Sequence, residues 1–101
     1  MATLWVKNVI TNVHYNLQRS RIDSVYVRRY LGAGLSDPIV NTRQQVINLI
    51  DLGEKFVTAT LASNQWNAGA DVRAVPIGNG RYLRTDNNQT EADNLGNLPE
   101  F

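Results

Sequence analysis

His14 is the one histidine of the chain, and there is no cysteine, so acid–base and metal chemistry have few residues to draw on. No motif sets a serine or a carboxylate beside His14, and a structural or surface role is expected for it. With one imidazole and no thiolate, a metal site would have to be built from oxygen ligands. Asp86, Asn88 and Thr90 have the spacing that opens a calcium loop. Glu91 stands where such a loop needs its glycine, however, and Asn97 where it needs its acidic twelfth ligand. Gly32-Ala33-Gly34 follows an extended stretch, but no helix start with a Lys or Ser/Thr comes after it, so a bend is expected rather than a phosphate cradle. No catalytic residue, metal or cofactor is expected.

A patterned surface is the stronger signal. In Ser24–Leu31 (SVYVRRYL), alternation puts Val25 and Val27 on one side of a strand and Tyr26, Arg28 and Tyr30 on the other. In the later stretch Arg81–Thr85, Tyr82 and Arg84 likewise share a side opposite Leu83. If the two strands lie in one sheet with a helix on its other side, these five residues form a Tyr/Arg face. Aromatic rings interleaved with arginines are what base stacking and phosphate attraction require. They are also ordinary strand-surface residues that pair across strands and cover apolar surface with their stems.

The elements that would position this face follow from local pattern. Residues 4–15, rich in β-branched and aromatic types, read as a strand bent near Asn12, and residues 24–31 as a second, antiparallel one. The two glycines and Asp37-Pro38 of residues 31–38 then disfavour a regular element. Thr42 with Gln45 three residues later makes a capping box, Val46, Ile47, Leu49 and Ile50 an apolar stripe, and Gly53 a left-handed stop. A helix over about 42–53 is expected. Lys55–Leu61 reads as a strand, 64–70 as a loop carrying Trp66, and Val72–Ile77 as another strand. Gly78-Asn79-Gly80 is a hairpin signal leading into Arg81–Thr85. Trp66 is then either a lid on the core or an exposed anchor, and the apolar area of an indole favours the lid. The Asp and Asn residues of 86–94 suit Asx turns, with Leu95, Leu98 and Phe101 left to pin the tail. The fold expected is α+β: a mostly antiparallel sheet of about four to five strands with one helix on one face.

Composition fits one domain. The 101 residues are 43% hydrophobic and 19% charged, a length that buries roughly two-thirds of the unfolded chain's surface. No cysteine means no disulfide framework and no thiol nucleophile, and favours a reducing compartment. No basic leader precedes an apolar stretch, and no apolar run approaches a membrane span, so a soluble, cytoplasmic protein is expected. The net charge of +1 divides into +4 over residues 1–50 and −3 over residues 51–101, which folding is expected to cancel in part.

The run from Trp66 to Val72 (W-x-x-G-A-x-V), the hairpin into Tyr82-Leu83-Arg84-Thr85 and DNLGNLP at 93–99 resemble a small bacterial family, domain of unknown function 3892. TRQQVINLIDLGEKFVT at 42–58 resembles that family's helix, glycine stop and following strand. The resemblance covers residues 3–101, is most specific in the C-terminal part and is least typical over 19–37. It implies a compact bacterial α+β domain and carries no activity with it. The expected function is a non-enzymatic interaction module with a protein partner. Single-stranded nucleic-acid binding on the Tyr/Arg face stands second and a small enzyme third. Self-association through an open sheet edge is compatible with the first.

Overall fold

The fold is that of a computed structural model, and the residues described are 7–17, 21–32, 34–77, 80–85, 95 and 98–101. Residues 4–6, Ala33, the Gly78-Asn79 turn, the Asp86-Asn88-Thr90 spacing and the Asx-turn segment 86–94 lie outside them. The element order is β1 (Asn8–Tyr15), β2 (Ile22–Arg29), β3 (Ile39–Thr42), α1 (Arg43–Asp51), β4 (Phe56–Ala62), β5 (Gln65–Ile77) and β6 (Gly80–Arg84). These strands form one sheet in the order β3-β2-β1-β4-β5-β6.

The α+β class holds, with two corrections: the sheet has six strands rather than four to five, and it is mixed. β1 and β4 pair in parallel through Asn8↔Phe56, Val9↔Val57 and Ile10↔Thr58, while the other neighbours are antiparallel. A parallel pair needs a long crossover, and β2, β3 and α1 supply it. β3 lies at the sheet edge, and α1 carries the chain back across β2 and β1 to β4.

Helix α1 forms as its sequence dictates. Thr42 Oγ1 accepts from the Gln45 amide, and the Gln45 side chain accepts from the Thr42 amide at 2.8 Å. Gly53 takes φ +98°, which a side chain would strain. Val46 and Ile47 enter a core with Ile10, Val13, Val25, Phe56, Val72 and Leu83, joined by Leu95 and Leu98 of the tail. On the opposite sheet face Val9, Val57 and Ala59 are buried, with Leu35 and Trp66 packed against them.

Of residues 64–70, expected as a loop, 65–70 are strand and Asn64 belongs to the turn before them. Ser63 and Asn64 both take positive φ, 51° and 62°, the backbone of a two-residue hairpin turn, and Ala62 pairs with Gln65 across it. The first half of β5 pairs with β4 as far as Val72, and its second half, Arg73–Ile77, with β6. Pro76 falls in that second half, where the β4 ladder has ended and no donor is needed on that side. Among the described residues no helix is long and apolar enough to cross a membrane.

Candidate functional site

Two irregularities in neighbouring strands open a cleft on the face opposite α1. β1 has a register shift between Ile10 and Asn12, which leaves Thr11 as the extra residue of a bulge. β4 has one between Val57 and Ala59, where Thr58 Oγ1 accepts from the Ala70 amide at 3.1 Å. Beyond Ile10 and Thr58 the parallel ladder stops. The C-terminal tail takes the vacated side of β1: the Val13 amide donates to Pro99 O at 2.9 Å and the Phe101 amide to Val13 O at 3.0 Å. The tail alternates as a strand does. Leu98 enters the core under α1, while Pro99 lines the cleft and Phe101 stacks on Tyr26.

The cleft has a volume of about 440 Å³ and is lined by Thr11, Asn12, Arg28, Thr60, Leu61, Trp66 and Pro99. Arg28 lies opposite Val9 in the β1–β2 ladder, and its guanidinium is fixed from two sides. Nε donates to Thr11 Oγ1 at 3.2 Å and Nη1 to Ser36 O at 3.2 Å. Its Cζ sits 5.2 Å from the centre of the Trp66 ring, within range of a cation–π contact. Trp66 pairs across the hairpin with Leu61, so the β4–β5 arm supplies one wall and Pro99 another.

The five residues of the expected Tyr/Arg face are not brought together. Tyr26 and Arg28 do share the face opposite α1, but the aromatic neighbour of each comes from outside the expected five. The Phe101 ring stacks on Tyr26 with centroids 3.9 Å apart at 17°, and Trp66 lies against Arg28. Tyr30 stands at the margin, where its hydroxyl donates to Gly32 O at 3.2 Å. It lines an adjoining cleft with Leu35 and Trp66.

Tyr82 and Arg84 are buried elsewhere, at 6% and 3% exposure. The Tyr82 ring has Arg21 at 5.6 Å and Arg43, the first residue of α1, at 5.7 Å. Arg21 directly precedes β2, four strands from β6 in the sheet order. The sheet therefore curls round the core under α1, and the curl turns β6 inward, so alternation along that strand does not continue the β2 face. Arg81 reaches Asp51 at the end of α1, 2.5 Å away, and Arg43 donates to Arg81 O.

His14 is exposed, and its Nδ1 donates to Phe101 O, with the two ring centroids 5.6 Å apart. Among the described residues no three His, Asp or Glu side chains converge where a metal ion could be held. Sequence reasoning missed Trp66 as a cleft wall and Phe101 as the partner of Tyr26, since both contacts depend on pairings distant in the chain. The usable signal for Trp66 was Asn64, a residue tolerant of positive φ, two positions before it.

No curated protein and no solved structure matches the chain. The family described as Protein of unknown function (DUF3892) matches residues 9–99, nearly the whole length and all of the strands that build the cleft save the first residue of β1. The chain belongs to that DUF3892 family.

Proposed function

We propose that this chain is a non-enzymatic binding module of the bacterial cytoplasm and that it holds a protein partner in the cleft opposite α1. Arg28 carries the proposal. A half-buried guanidinium fixed by a threonine hydroxyl and a backbone carbonyl, and stacked on an indole, is a preorganised recognition group. Around it Leu61 is 56% exposed, which adds apolar surface of the kind that partners cover. Among the described residues that line the cleft there is no His, Asp, Glu, Lys, Tyr or Cys side chain to serve as a general acid or base. That supports binding over catalysis. The absence of cysteine from the sequence suits a reducing compartment.

Single-stranded nucleic acid is the weaker occupant, because a phosphodiester track needs several cations along its length. Arg28 is the one cation among the described residues that line the cleft. Site-specific photo-crosslinking separates a partner on this face from one elsewhere. With p-benzoylphenylalanine at Leu61, in the cleft, a discrete protein adduct is expected from native cell extract. The same probe at Leu52, which is 81% exposed at the end of α1, is expected to give none. Equal adducts at both positions, or none at Leu61, would contradict the proposal.

A further inference from the structure

Resting on the reading of the cleft as a binding site, we infer that the group it recognises is a carboxylate: an Asp or Glu side chain flanked by an apolar residue in an extended polypeptide. The two hydrogen-bond acceptors of Arg28, Thr11 Oγ1 and Ser36 O, are neutral, and among the described residues no carboxylate pairs with it. A guanidinium has five N–H donors, so three remain for a ligand. A half-buried cation with neutral acceptors and spare donors is a site for an anion. Its orientation is already fixed by Thr11, which is itself 1% exposed in the bulge of β1, and by the Trp66 ring. Little rotamer freedom is left to lose on binding.

The lining of the cleft also sets the charge of the ligand. One cation and no acid among the described lining residues match a single negative charge. A phosphate dianion would call for a second cation. Trp66, Leu61 and Pro99 form apolar walls beside Arg28, which fits a carboxylate carried next to an aliphatic or aromatic group. Asn12 and Thr60 also line the cleft. Their side chains make no hydrogen bond to the described residues, which leaves an amide and a hydroxyl to meet the donors and acceptors of a peptide backbone.

The test titrates the full chain with acetyl-Leu-Glu-Phe-amide and with its Gln, Lys and phosphoserine counterparts, following the Trp66 indole N–H by NMR. The Glu peptide is expected to bind about tenfold or more tightly than the Gln peptide, the difference a charge-assisted hydrogen bond makes, and the Lys peptide more weakly than either. Arg28→Gln is expected to reduce the Glu peptide to the affinity of the Gln peptide, and Arg28→Lys to restore part of the difference. Equal affinities for Glu and Gln overturn the carboxylate inference and leave the cleft as a binding site, as does a preference for phosphoserine. A Glu preference that survives Arg28→Gln also overturns it. No shift at Trp66 with any peptide overturns the inference and the reading of the cleft together. Should Arg28→Gln fail to fold, the four peptides on the unaltered chain still decide.

Discussion

Gly69 shows how tightly single residues are specified where β4 and β5 change register. A Cβ on Gly69 would overlap Thr58 Oγ1 and lie 3.2 Å from Thr58 O, in the bulge where that hydroxyl replaces a ladder bond to Ala70. Gly69→Ala is expected to cost about 1–3 kcal/mol, read as a fall in the thermal midpoint of roughly 4–8 °C per kcal/mol. Adding Thr58→Ala removes the clashing oxygen, so the double variant is expected to be less destabilised than the sum of the two single ones. A strictly additive pair would mean that the contact does not limit the site. Tyr26 and Arg28 lie on the side of β2 opposite Val25, since a short strand with one apolar side leaves little choice of face. Tyr82 and Arg84 obey the same period, yet both are buried, with the Tyr82 ring between Arg21 and Arg43. Alternation fixes which side of its own strand a residue takes; it does not fix which side of the molecule that becomes.

Helix α1 was readable to within a few residues, since a capping box and a glycine stop act through neighbours in sequence. Thr42→Ala removes the acceptor of the Gln45 amide and is expected to destabilise the fold by about 1 kcal/mol, measurable by denaturant unfolding followed by circular dichroism. No change would mean that the first turn is held by packing alone. What escaped the sequence were elements made by distant partners. β3 is four residues long and exists through its pairing with Val25 and Tyr26 of β2. The turn at Ser63-Asn64 lacks the glycine that usually marks a tight hairpin. The parallel pairing of β1 with β4 joins residues 48 apart, beyond the reach of any local pattern. The pairing of the tail with β1 through Val13 and Glu100 belongs to this class as well. Phe101→Ala removes the stack on Tyr26 and is expected to cost about 0.5–1.5 kcal/mol while leaving α1 intact. Unchanged stability would show that this stack contributes nothing to holding the tail.

For the whole molecule, the tail is part of the core and the cleft is built on both. Leu95 and Leu98 are 2% and 7% exposed, each in the cluster under α1. Replacing either with Ala is expected to cost about 2–5 kcal/mol, a large share of the roughly 5–15 kcal/mol that stabilises a typical domain. Truncation after Asn94 is accordingly expected to leave the chain largely unfolded, whereas a cooperative transition at an unchanged midpoint would place the core elsewhere. The same tail supplies Pro99 to the cleft, so binding and stability share one segment. Whether the face opposite α1 binds polypeptide is read from a chemical-shift map of the unaltered chain titrated with acetyl-Leu-Glu-Phe-amide. The perturbed residues are expected to centre on Thr11, Asn12, Arg28, Thr60, Leu61 and Trp66. Perturbations centred on Arg21, Arg43 and Tyr82 instead, or spread without a centre, would contradict binding on this face.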